Sequence, residues 1–210
     1  MGVRHAGIIE QVIRDAPSVA AGAKLLGAIA RLDVPPTLPV WKVVDSLRWE
    51  QDVAVVRETW VQRIRSSIPT DVSGVYFAIN GLNMPDGRGV ELSCSTGHLP
   101  GWQAIDFIFN CETTCDDIPL PSLSRLYTWL YAEGGYETFG SVENLHLECP
   151  ICLGVTALVF REALRKLDTF TLAGETVERC YAIGFHDGDV MRLGKGTQEG
   201  YVNEPTFDCW

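Results

Sequence analysis

Apolar positions in the first seventy residues recur at helical intervals. Val3, Ile8, Ile9, Val12 and Ile13 fall within one short stretch that ends before Pro17, and Ser18 stands where a hydroxyl caps a second helix running through Leu32. Ala20, Ala21, Ala23 and Ala28 make that second helix rich in small residues, a composition that predicts close packing on a neighbour. Pro35, Pro36 and Pro39 then force a break. From about Leu47 to Ile68 the apolar series Val53, Val56, Trp60 and Ile64 returns at helical spacing, while Glu50, Arg57, Glu58 and Arg63 lie elsewhere on the wheel. The Trp60 stripe is assigned to the core, because packing alone accounts for the periodicity.

Past Pro69 the pattern shortens to that of strands. Gly74 to Ile79 is a continuous apolar run, and Val90, Leu92 and Cys94 alternate with Glu91, Ser93 and Ser95 across Pro85-Asp86-Gly87, a turn sequence. Ile105, Phe107 and Phe109 predict a third strand, so the three read as an antiparallel meander. Leu123, Leu126, Tyr127 and Leu130 then mark a helix that starts at Pro121-Ser122 and stops at Gly134-Gly135. After a short strand at Asn144 to Leu147, a further helix opens near Pro150 and carries Leu153, Ala157, Phe160, Leu164 and Leu167 on its buried face. Its first half is apolar all round and belongs deep in the core. Cys180 to Phe185 and Val190 to Leu193 form a hairpin across His186-Asp187-Gly188-Asp189. The predicted class is α+β, an antiparallel sheet of about five strands packed with helices. The expected division is a helical region over 1–68 packed on an α+β region over 69–210.

Charge sharpens this picture. Over all 210 residues, 17 Lys and Arg face 27 Asp and Glu, a formal net charge of -10. Residues 71–150 hold Arg88 and Arg125 against eleven acids, whereas residues 1–70 carry a net +2. A balance of this sign repels phosphate backbones and argues against nucleic acid as a partner. The longest uncharged apolar stretch, Cys149 to Phe160, is too short for a bilayer that needs about 20 residues, which argues against a membrane partner. Met1 to Asp15 has no unbroken apolar segment of the secretory kind, so the expected location is the cytosol. There the seven cysteines stay reduced and do not form a disulfide framework.

Candidate chemistry is sparse. Gly-x-Ser-x-Gly, Walker and Gly-x-Gly-x-x-Gly signatures are missing from the sequence. Glu112, Asp116, Asp117, Glu133 and Glu137 are the acids assigned to a docking face for a basic protein, with the Asp116-Asp117 pair read as part of a solvated loop. The leading expectation is therefore a non-catalytic interaction protein without a cofactor. In class and composition, though in no motif, this resembles bacterial immunity proteins that neutralise toxins.

The alternative centres on thiols. Cys111, Cys115, Cys149 and Cys152 form two close-spaced couples, enough ligands for one tetrahedral zinc. Cys149-Pro150-Ile151-Cys152 at a helix start also resembles thioredoxin-like redox sites. The order of a helix-borne Cys149 before a hairpin-borne His186 resembles papain-like and cell-wall peptidase folds, a resemblance that implies Cys149 as nucleophile and His186 as its base.

Overall fold

The computed structural model describes residues 5–60, 62, 73–79, 90–95, 113–132, 148–168, 178–185 and 189–208. The chain opens with α1 (Ala6–Asp15) and α2 (Val19–Ala30). Ser18 caps α2 as its hydroxyl accepts from the Ala21 amide at 3.2 Å. Behind the proline cluster come a short α3 (Val40–Val44) and then α4 (Trp49–Thr59). Strands β1 (Gly74–Ile79), β2 (Val90–Ser95) and β3 (Thr113–Ile118) follow, succeeded by α5 (Pro121–Ala132). A π-helical segment (Glu148–Val155) runs directly into α6 (Thr156–Leu164), and β4 (Arg179–Phe185), β5 (Val190–Thr197) and β6 (Gly200–Asp208) complete the order. The expected strands at Ile105–Phe109 and Asn144–Leu147 lie outside the described residues.

The class is α+β, with six strands in one sheet among the described residues. The sheet is mixed, which corrects the expectation of an antiparallel sheet of about five strands. Its order is β3-β2-β1-β4-β5-β6, and the central pair, β1 with β4, is parallel. Two antiparallel halves thus meet at a parallel seam, reached by a crossover that contains α5, the π segment and α6. The seam also explains the composition of β1. Strands buried on both faces read as unbroken apolar runs, and all six residues of β1 are buried. Val75, Phe77 and Ile79 enter the helical core, while Tyr76, buried on the alternate face, donates its hydroxyl to the Phe185 carbonyl at 3.0 Å.

The predicted hairpin is present, with Gly184 opposite Val190 and the Phe185 amide donating to the Asp189 carbonyl at 3.2 Å. β6 was not expected. Its Tyr201, Asn203, Pro205 and Phe207 alternate with more exposed residues, and a proline is tolerated because β6 is a terminal strand. α1 covers that edge: the Phe207 amide donates to Glu10 Oε1 at 2.6 Å, Arg14 donates to the Pro205 carbonyl at 3.4 Å, and Asn203 donates to the Arg14 carbonyl at 3.1 Å. Covering the outer groups of a terminal strand blocks sheet-to-sheet association.

An aromatic cluster fills the space between helices and sheet. Trp60, 1 % exposed, lies 5.8 Å from both Phe77 and Tyr181, and Phe77 lies 4.1 Å from Phe160. Val53, Val56 and Trp60 are core, as their periodicity predicts, and Ile64 lies outside the described residues. α2 approaches the π segment and α6 closely, since a Cβ on Gly22 would stand 2.4 Å from Leu158 and one on Gly154 3.1 Å from Leu26.

Among the described residues two charged side chains are fully buried, and each closes the end of another helix. Arg161 on α6 donates to the Ile13 carbonyl and, at 2.9 Å, to the Ala16 carbonyl, where α1 has run out of amides of its own. The negative end of the α1 dipole adds to the attraction. Asp52 on α4 accepts from the Ser122 amide in the first turn of α5 at 3.0 Å, next to Pro121, which has no amide to offer. Burial holds Arg161 below its ordinary pKa and Asp52 above its own.

Arg161→Ala strips two buried carbonyls of their donors, and urea denaturation will show a loss of about 3 kcal/mol. Asp52 binds its proton more tightly in the folded than in the unfolded chain, so its ionisation erodes stability as pH rises through the folded-state pKa. Asp52→Asn keeps an acceptor for Ser122 and cannot ionise. Denaturation midpoints across the acid range will therefore fall less steeply with rising pH in this variant than in the parent.

Candidate functional site

The structure places the sequence-derived candidates at two separate loci. At the first, Asp116 and Asp117 lie in β3, not in the solvated loop expected for them. Polar residues hide a strand from pattern reading when it is terminal, and β3 ends the sheet among the described residues. The register explains how the pair is accommodated. Val90 faces Ile118 and Leu92 faces Cys115, so Glu91 alone stands across from both Asp116 and Asp117. This is a β-bulge, with two residues on one strand opposing one on the other. Three acidic residues therefore share one irregular rung. Sequence reading missed Glu91 because the alternation of β2 marks it only as a polar position. Glu112, Glu133 and Glu137 lie outside the described residues.

At the second locus, the π segment carries Cys149, half-buried, and Cys152, fully buried, both as thiols. π-helical geometry is rare and concentrates at functional sites. The Cys149 thiol donates to Asp189 Oδ2 at 3.4 Å, which brings the segment against the residue that closes the β4–β5 turn. The expected partner His186 falls in that turn but outside the described residues. Asp189 reads in the sequence as turn chemistry only, and no local signal links it to a cysteine forty positions earlier.

Only part of the four-thiol set proposed for zinc falls within the described residues. Cys111 lies outside the described residues, and Cys115 is in β3. Four strand spacings separate β3 from β5, where Asp189 holds Cys149, a lateral distance of about 19 Å. Sulfurs bound to one zinc each sit about 2.3 Å from it. Among the described residues no group of three His, Cys, Asp or Glu side chains has the geometry to hold a metal ion.

A cleft of about 260 Å³ lies between α2, the start of α4 and the π segment, lined by Ala23, Gly27, Trp49, Ile151 and Val155 among others. Two of its charged lining residues, Arg31 and Asp45, pair at 2.6 Å, and Arg31 stacks 4.1 Å above the Trp41 ring. No helix among the described residues is long and apolar enough to cross a membrane.

Cys180, in β4, is a further thiol, and burial pushes its pKa up to about 11. Alkylation of the native chain near neutral pH will therefore modify Cys149 well before Cys180. Peptide mapping after a short exposure to iodoacetamide checks the order, and equal labelling of the two would contradict it.

No protein-family model and no solved structure matches this chain.

Proposed function

We propose that this chain is a non-catalytic interaction protein whose acidic region, residues 71–150, docks a basic protein partner. The observation that carries the reading is the bulged rung of Glu91, Asp116 and Asp117 on the strand that ends the sheet. Acidic residues gathered on one rung offer a cationic surface several carboxylates at one place. The contrast between the sheet edges supports the same reading. α1 hydrogen-bonds along β6, whereas β3 carries adjacent carboxylates. The concentration of eleven acids against two bases over residues 71–150 supplies long-range steering towards such a partner. A partner of this kind contributes lysines or arginines at its contact surface, and its association weakens as salt rises.

The Cys149–Asp189 contact favours a second reading, a thiol-dependent protein. It supports the thiol half of the zinc-or-thiol alternative and gives no weight to the zinc half.

The docking reading is tested with the triple variant Glu91→Gln, Asp116→Asn, Asp117→Asn and a lysine-rich peptide as probe. Fluorescence anisotropy at low ionic strength will show at least about a tenfold loss of affinity, with a flatter salt dependence than the parent. Equal binding by parent and variant, or binding that ignores salt, overturns the reading.

A further inference from the structure

We infer that the cleft between α2, the start of α4 and the π segment binds a small monocarboxylate with an apolar body, its acid group on Arg31 and its body against the apolar lining. The inference is independent of both readings above, since neither β3 nor Cys149 lines the cleft. At about 260 Å³ the cleft falls just under the roughly 300–1,000 Å³ of pockets that take drug-sized ligands, so its occupant is a smaller molecule. Ala23, Leu47, Trp49 and Val155 give the lining an apolar part, and Lys24 and Arg31 put two cations on the wall that α2 contributes.

Arg31 is the group whose position is best fixed. Its guanidinium stacks 4.1 Å above the Trp41 ring, and Nη2 donates to Asp45 Oδ1 at 2.6 Å. The Trp41 indole is itself held, donating to the Pro35 carbonyl at 2.9 Å. A side chain ordered in this way loses little further freedom when it meets a ligand. The other terminal nitrogen, Nη1, lies over Gly27, where a Cβ would stand 3.1 Å from it. Gly27 lines the cleft, so Nη1 stands at its wall, and it has no acceptor among the described residues. Glycine inside a helix lowers the stability of that helix relative to alanine, and here it leaves the space that Nη1 adjoins. Lys24 precedes Arg31 by seven residues, which is two helical turns, and therefore shares its face of α2. It is exposed and forms no ion pair among the described residues.

These groups set the class of ligand. A guanidinium nitrogen with free N–H donors binds a carboxylate oxygen through a charge-assisted hydrogen bond, roughly twice as strong as one to a neutral acceptor. Lys24 adds attraction from the same wall. Asp45 and Glu50 also line the cleft and oppose a second negative charge, so one carboxylate is favoured over a dicarboxylate or a phosphate. No Ser, Thr, Asn or Gln side chain lines the cleft to bond a hydroxyl or an amide on the body of the ligand, and a polar group placed there without a partner opposes binding. A hydrocarbon body is favoured instead, because it leaves water for apolar surface.

The test uses the full chain, without any partner, and phenylacetate as the probe. Isothermal titration will show saturable binding with a Kd of about 1 mM or tighter, within reach of a ligand of roughly ten non-hydrogen atoms. Phenylacetamide has the shape without the charge and acetate the charge without the body, and each will bind at least about tenfold more weakly. Arg31→Gln will weaken phenylacetate at least about tenfold and leave phenylacetamide within about twofold of the parent. Gly27→Ala keeps α2 a good helix while it sets a methyl against Nη1, and it will weaken phenylacetate at least about threefold with an unchanged circular dichroism spectrum. Amide NMR shifts on titration will centre on Gly27, Arg31 and Trp49. An acetylated dipeptide ending in phenylalanine carries the same acid on a longer chain and will bind no more tightly than phenylacetate; tighter binding assigns the cleft to a peptide terminus and overturns the inference. So does an absence of saturable binding, equal affinity for acid and amide, shifts centred elsewhere, or either variant binding phenylacetate as the parent does. The lysine-rich peptide of the docking test probes β3, which contributes nothing to this cleft, so the two readings fail separately.

Discussion

The arrangement depends first on one helix closing the end of another. Arg161 reaches from α6 to carbonyls at the end of α1, and Asp52 reaches from α4 to the Ser122 amide at the start of α5. Burying either charge alone is expensive, and each is tolerated because it meets unsatisfied backbone groups at the end of the helix dipole that suits its sign. The consequence is long-range. Arg161 and Ile13 are far apart in sequence, as are Asp52 and Ser122, so these contacts hold the amino-terminal helices to elements that fold from the rest of the chain.

With α1 fixed by Arg161, its other face is available to β6. Glu10 and Arg14 satisfy backbone groups on the outside of that strand, and the sheet is finished on one side by side chains of the first helix. The parallel seam of β1 and β4 lies at the centre, where Phe77 and Tyr181 stand at equal distances from Trp60. A parallel pair needs a long crossover, and here that connection carries α5, the π segment and α6. The crossover delivers Arg161 to α1 and Cys149 to Asp189. The same topology therefore serves the core and the thiol locus.

The two loci differ in their physical origin. The acidic rung follows from strand register, since a one-residue bulge sets two aspartates across from one glutamate. The thiol locus follows from the docking of a helix start on a hairpin turn. They stand at different places in the sheet, β3 for one and the start of β5 for the other.

Local patterns determined a good part of this. The periodicities around Ile9, Leu26, Val53 and Leu126 place helices that the structure contains, Ser18 marks a cap, and Asp187-Gly188 marks a hairpin. The lopsided charge was legible too, being a matter of composition. Hydrophobic spacing reports which face of an element is buried and says nothing of which neighbour buries it. The parallel seam, the strand β6 with its interior Pro205, the assignment of Asp116 and Asp117 to a strand, and the pairings of Cys149 with Asp189 and Arg161 with Ile13 were decided only by tertiary structure. Each joins residues whose energies depend on partners distant along the chain, and a local pattern carries no record of a distant partner.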